Sequence, residues 1–245
     1  MTAQSRPVIL LTRPEPAAAR FAAALRDHLP GAEVLMAPLI APRLLSPPLP
    51  PVWGDGRVRG LIFTSETGVA GFARIAADRS LPAFCVGPHT ADVARAAGFT
   101  AHACGGDAEA VVAELTALRP AAPLLHARGR DARGAIAARL SAAGIETGEL
   151  IVYEQQEQPL SAPALALLAG DAPVIAPLFS PRTAAIFARA AAGVRAPLYL
   201  AAISPAAAAE LSGLPARMRL TAEAPDAPAM LRAAAALHHA AQAAA

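Results

Sequence analysis

Three short segments recur in the same order, 115 to 119 residues apart, and two more have counterparts at the N-terminus; this constrains the fold more than anything else in the chain. Ser65-Glu66-Thr67-Gly68-Val69-Ala70-Gly71-Phe72-Ala73-Arg74 returns as Ser180-Pro181-Arg182-Thr183-Ala184-Ala185-Ile186-Phe187-Ala188-Arg189, with Ser, Ala, Phe, Ala and Arg kept. Val86-Gly87-Pro88 is followed 117 residues on by Ile203-Ser204-Pro205, and Asp107-Ala108-Glu109-Ala110-Val111 by Asp226-Ala227-Pro228-Ala229-Met230 at 119. Small loop insertions between two copies of one unit produce such a drift. The first copy continues with Leu124-Leu125-His126-Ala127-Arg128, a helical stretch and Gly144-Ile145-Glu146, but no sequence remains after the second copy to match these. Their counterparts are at the N-terminus, in Leu10-Leu11-Thr12-Arg13 and Gly31-Ala32-Glu33. One domain therefore starts at the N-terminus, breaks off and resumes near residue 155, with the other inserted. The expected division is 1–36 with 156–245, an inserted 42–149, and extended linkers at 37–41 and 150–155.

Within each copy, short apolar runs alternate with Ala/Leu-rich stretches, the pattern of a parallel sheet flanked by helices. Much of the 55% apolar content is alanine, which favours helix and adds little burial, so small and closely packed helices are expected. The fold class predicted is α/β: two similar flavodoxin-like parallel-sheet domains, one of them discontinuous.

Several function classes drop out on composition. A net charge of +2 does not suggest an extended basic face for a nucleic acid, and 4% aromatic content leaves little for base stacking, so no nucleic-acid partner is expected. All basic residues are arginine. Without lysine there is no Schiff-base nucleophile, no lysine-held pyridoxal phosphate and no Walker-A loop. Two cysteines, Cys85 and Cys104, are too few for a disulfide framework and fit reduced thiols in a cytoplasmic protein. The first residues lack the apolar region of a secretory signal, and no run of 18 apolar residues suggests a membrane span. GxGxxG and GxSxG are absent, and no carboxylate pair stands at a useful spacing. His238 and His239 read as a solvated helix end; His89 and His126 read as polar lining residues following strands.

Four turns share one design, in which an apolar run ends, Ser, Thr or Gly follows with proline nearby, and a helix begins. They are Thr64-Ser65-Glu66-Thr67, Gly87-Pro88-His89-Thr90, Ser180-Pro181-Arg182-Thr183 and Ser204-Pro205. Ordinary helix starts account for each taken singly. Together, at the carboxyl ends of parallel strands, they present free N–H groups and positive dipole ends where such sheets bind ligands. With Arg13, Arg128, Arg130 and Arg182 they suit a ligand rich in carboxylates, and phosphates fit the same physics.

Taken in order, Leu10-Leu11-Thr12-Arg13-Pro14, Ile62-Phe63-Thr64-Ser65 with Gly68-Val69, Val86-Gly87-Pro88-His89-Thr90-Ala91, Arg128-Gly129-Arg130, Val152-Tyr153-Glu154, Phe179-Ser180-Pro181 and Ile203-Ser204-Pro205 resemble the uroporphyrinogen-III synthase family over nearly the full length. The resemblance implies two flavodoxin-like domains joined by a two-stranded ladder. It also implies a cofactor-free, metal-free enzyme of haem biosynthesis that converts hydroxymethylbilane to uroporphyrinogen III with loss of water and inversion of ring D. The implied partner is this linear tetrapyrrole, with its eight carboxylates; independently, the thin linkers lead to the expectation of a monomer with a mobile hinge. On this resemblance Tyr153 is the proton donor for the leaving hydroxyl and Thr90 orients the substrate. The expected carboxylate-binding set is Thr12, Arg13, Thr64, Ser65, Thr67, Gly87, His89, Arg128, Arg130, Ser180, Arg182 and Ser204. Two departures from the family pattern are Thr67, where relatives often carry asparagine, and Phe179, where many carry threonine. The rival from another class is a non-catalytic, hinge-closing binding protein for a polyanionic small molecule. The proline-rich stretch Pro42–Pro51 has no functional account at this level.

Overall fold

The computed structural model describes residues 6–15, 17–132 and 134–244, and the chain divides into two compact units: Pro42–Gln156, and the segments on either side of it. Each has five parallel strands covered on both faces by helices, and the sheet of the inserted unit has a sixth strand at its edge. The flanking segments supply β1 (Val8–Leu11), α1 (Ala17–His28), β2 (Glu33–Met36), α7 (Ala162–Ala169), β9 (Val174–Leu178), α8 (Pro181–Ala190), β10 (Leu198–Ala202), α9 (Pro205–Glu210), β11 (Met218–Thr221) and α10 (Ala227–Ala243). The inserted unit holds most of β3 (Ile40–Leu44), then α2 (Pro51–Gly54), β4 (Gly60–Phe63), α3 (Glu66–Ile75), β5 (Pro82–Cys85), α4 (Pro88–Ala96), β6 (Thr100–Ala103), α5 (Ala108–Leu118), β7 (Leu124–Gly129), α6 (Ile136–Ala142) and β8 (Thr147–Glu157).

The strand orders carry the internal repeat into three dimensions. One sheet runs β11-β10-β9-β1-β2 and the other β6-β5-β4-β7-β8-β3. Setting β9 on β4, β10 on β5, β11 on β6, β1 on β7 and β2 on β8 makes the first five strands of both sheets correspond. This is the doubly wound, flavodoxin-like order 2-1-3-4-5, reached with two different starting points in the chain. The paired strands among these are parallel, with β1 in register against β2 from Val8↔Glu33 to Leu11↔Met36 and β4 against β7 from Gly60↔Leu124 to Phe63↔Ala127.

Strands covered on both faces are apolar throughout, since successive side chains point to opposite cores. In β1, Ile9 and Leu11 enter one core while Leu10 enters the other. The same division puts Leu125 and Ala127 of β7 on one side and Leu124 on the other. Helix starts repeat as well. Asp107 caps α5 by accepting from the Ala110 amide at 2.8 Å, and Asp226 caps α10 by accepting from Ala229 at 2.8 Å. Such a cap satisfies one of the amides that an opening helical turn leaves free.

Of the connecting strands, β3 is as long as the 37–41 segment read from sequence but begins three residues later, and β8 extends beyond 150–155 at both ends. The chain enters the inserted unit along Ile40–Leu44 and leaves it along Thr147–Glu157, and β3 and β8 are hydrogen-bonded neighbours. The proline-rich stretch continues β3 without regular structure to α2, where Trp53 packs edge-on against Phe72 with centroids 5.2 Å apart. Prolines hold that segment extended and deliver the indole to the core.

His238 corrects the expectation of a solvated helix end. Seventeen residues long, α10 packs one face along its unit's core, and His238 is on that face, buried, while its neighbour is exposed. Burial, with His239 adjacent, lowers its pKa from the ordinary histidine value. Among the described residues, no helix is long and apolar enough to cross a membrane.

Candidate functional site

In an open parallel sheet, ligands bind beyond the carboxyl ends of the strands where the chain order reverses. In the inserted unit that point lies between β4 and β7. Thr64 and Ser65 follow β4, Arg128 and Gly129 end β7, and Tyr153 reaches in from β8. Ser65 caps α3, its Oγ accepting from the Gly68 amide at 3.0 Å. The same Oγ is 3.1 Å from the Tyr153 hydroxyl.

Two local features bring that tyrosine across a strand. The β7–β8 ladder pairs Arg128 with Ile151 but Gly129 with Tyr153, so β8 has one extra residue at that point. A bulge of this kind re-aims the side chain that follows it. Gly129 then leaves the space that the ring occupies: a Cβ there would stand 2.5 Å from Tyr153 Cζ and 2.9 Å from its hydroxyl oxygen. Gly68 permits a similar approach of α3, since a Cβ on it would meet the Ala127 carbonyl oxygen at 2.9 Å. The tyrosine is half-buried, with its hydroxyl at the first turn of a helix.

The arginines expected to meet anions are engaged within the unit. Arg128 bonds Glu149 at 2.6 Å and donates to the Gly129 carbonyl at 2.8 Å, with only 17% of its side chain exposed. Arg130 bonds Glu154 at 2.9 Å, and Arg43 approaches the other oxygen of that carboxylate at 2.5 Å. Flanked by two guanidinium groups, the Glu154 carboxyl is held below the usual carboxylate range. The pairing of Arg43 with Glu154 is not legible in the sequence; 111 residues separate them, and no local pattern joins them.

His126 lies within β7 rather than after it, which corrects its sequence reading. It is 1% exposed, its Nε2 is 3.1 Å from Thr64 Oγ1, and its Nδ1 has no hydrogen-bond partner. Burial pushes its pKa down to about 4, an effect opposed by Glu149 and reinforced by Arg128, so the ring is neutral near pH 7. With Arg128, Ser141, Thr147 and Glu149 it lines an open pocket of about 650 Å³ against α6. His89, by contrast, is exposed on the first turn of α4 and 3.0 Å from Glu66. Gly87 is the N-cap of α4, and Thr90 is buried in the first turn of that helix at 6% exposure. Thr67 is half-buried in the first turn of α3.

The flanking unit repeats the arrangement between β9 and β1. Ser180 caps α8, accepting from the Thr183 amide at 3.1 Å, with the Thr183 hydroxyl 2.8 Å away. Ser204 caps α9, accepting from Ala207 at 3.3 Å. Arg182 is exposed on the first turn of α8. Thr12, after β1, is 1% exposed, and its carbonyl accepts from the Leu39 amide at 2.9 Å. Arg13 lays its guanidinium over Phe179, 4.0 Å from the ring centroid, and Phe179 packs edge-on to Phe21 at 4.8 Å. Partial burial and nearby Arg20 lower the Arg13 pKa from its ordinary value. Phe179, a departure from the family pattern, is thus the platform for that arginine.

Each unit alone is a flavodoxin-like sheet with capped helix starts and a cation at its switch point. That defines the doubly wound α/β class, in which ligands bind at the carboxyl ends of the strands. The chain belongs to the uroporphyrinogen-III synthase family: the model of uroporphyrinogen-III synthase HemD matches residues 19–232. A uroporphyrinogen-III synthetase of known structure from Helicobacter pylori is similar in fold at 17% identity, with a TM-score of 0.53, 95% of this chain and 99% of that one being covered. A mutant uroporphyrinogen III synthase from the extremely thermophilic bacterium Thermus thermophilus aligns at 17% identity over 93% of this chain and 96% of its own, with a TM-score of 0.43. Among curated proteins none matches this chain significantly.

Proposed function

We propose that this chain closes hydroxymethylbilane to uroporphyrinogen III, a dehydrating (lyase) reaction of haem biosynthesis, acting in the cytoplasm as a monomer. The observation that carries the reading is the family match over residues 19–232. Hydroxymethylbilane loses its hydroxyl readily and closes unaided to the type I isomer. The enzyme's task is therefore to make the reactive carbon meet the substituted position of ring D. Positioning and electrostatic stabilisation of the cation left by the departing hydroxyl supply most of that.

In this reading Tyr153 donates the proton that carries the hydroxyl off as water. Its oxygen is 3.1 Å from Ser65 Oγ, and either oxygen can be the donor in that pair, so a proton lost to the substrate has a hydroxyl neighbour to draw on. The first turns of α3, α4, α8 and α9 hold carboxylates through backbone amides, with Ser65, Gly87, Ser180 and Ser204 fixing the turns. Arg13, on its aromatic platform, is the cation of the flanking unit. Arg128 and Arg130 act mainly through the frame they share with Glu149 and Glu154, a smaller part than direct carboxylate capture.

The test is the isomer composition of uroporphyrinogen formed from hydroxymethylbilane with and without the protein. Type III predominating only in its presence supports the reading. Type I alone, as in the blank, overturns it and favours a binding protein for another polyanion.

A further inference from the structure

On the edge strand of the inserted unit, β6 brings His102 to α5, and Cys104 follows at once. Residues two apart on a strand face the same way, and here both face Glu114 of α5. One donor atom each from His102, Cys104 and Glu114 lies within 4.8 Å of the others. His102 Nε2 and Glu114 Oε1 are already in close contact. Cys104 is 3% exposed, whereas the His102 and Glu114 side chains are 54% and 37% exposed. The cluster therefore has a sheltered sulfur and two outer ligands free to adjust.

The geometry points to a zinc-class divalent metal site formed by His102, Cys104 and Glu114. Imidazole, thiolate and carboxylate are the donor types zinc takes, and three protein ligands leave a fourth, tetrahedral position for water. Bond lengths of about 2.0–2.3 Å place tetrahedral ligands roughly 3.4–3.6 Å apart. Rotation of the two exposed side chains brings the three donors to that spacing, drawing His102 and Glu114 a little apart. Binding replaces the thiol proton, which passes to solvent, with a sulfur–metal bond. Hard, oxygen-seeking magnesium gains nothing from such a set.

The site is two strands away from the β4–β7 switch point, yet its backbone is tied to one of the candidate anion turns. The Cys104 amide donates to the Cys85 carbonyl at 2.7 Å and the Gly106 amide to Val86 at 2.7 Å. A metal held there fixes the segment that supports the turn before α4.

Cobalt(II), titrated into the reduced protein without oxygen, is the probe. Expected are tetrahedral visible bands and a near-ultraviolet thiolate-to-cobalt band, saturating at one equivalent, displaced by zinc and indifferent to magnesium. Cys104→Ser removes the charge-transfer band, and His102→Ala and Glu114→Gln each weaken cobalt binding more than about tenfold. Circular dichroism checks the fold of Cys104→Ser; if it fails, the two exposed-ligand variants decide the matter alone. No charge-transfer band, a band that survives Cys104→Ser, or affinity unchanged in His102→Ala and Glu114→Gln overturns the site.

Discussion

Replacing Gly129 by alanine tests how the tyrosine is positioned, because the added methyl enters space that the ring fills. Its contacts would be 2.5 Å to Cζ, 2.7 Å to Cε2 and 2.9 Å to the hydroxyl oxygen, where ordinary carbon contacts begin near about 3.5 Å. The ring must retreat by about 1 Å, enough to break a 3.1 Å bond to Ser65. Overpacking of this kind costs about 1–3 kcal/mol, and the lost hydrogen bond adds about 1 kcal/mol. A positioned proton donor contributes roughly 10²–10⁴-fold in rate, and a 1 Å misplacement can cost about 10²-fold. Gly129→Ala should therefore lower the rate of type III formation about a hundredfold, measured by chromatography of the oxidised porphyrins. Tyr153→Phe should lower it at least as much. The double variant should be no slower than Tyr153→Phe, since both changes act through one hydroxyl. Full activity in a destabilised Gly129→Ala, or losses that multiply in the double variant, would refute the reasoning.

Three more outcomes are expected. His126 titrates near 4 when folded against about 6.5 unfolded, so below about pH 6.5 the unfolded chain takes up the proton first. Stability should then fall on acidification from there, by about 2 kcal/mol at pH 5 for this group, and urea melts of His126→Gln should lack that share of the slope. Asp107→Ala and Asp226→Ala each remove one equivalent helix cap and should cost about 1 kcal/mol in urea unfolding; no change in either would mean the caps are idle. Phe179→Ala takes away the platform 4.0 Å beneath Arg13, worth about 0.5–1 kcal/mol as a cation–π contact, and should raise KM a few-fold with kcat little altered.

What the sequence made legible was whatever short-range order encodes. The Ser65 and Ser180 caps, the paired Asp107 and Asp226, and the apolar runs that became β4 and β9 are each written within a few residues. The corresponding strand orders follow from the preserved order of those segments. Long-range geometry was not legible. Nothing near Arg130 or Arg43 announces that both meet Glu154, so charge alone suggested an arginine open to ligand where the structure has a clamp. Likewise the run Leu124–Arg128 does not reveal that His126 is the polar member of a buried strand. The glycine between two arginines became meaningful only once a bulge in the neighbouring strand aimed Tyr153 over it.

The offset starting points of the two sheets also set a timetable. During synthesis, every strand of the inserted unit has been made by residue 157, so that unit can assemble from contiguous chain. Its partner cannot: β1 belongs beside β9, and Val8 pairs with Val174. The β1–β2 pair, translated first, thus waits for β9, across a gap in sequence that the inserted unit has meanwhile folded up.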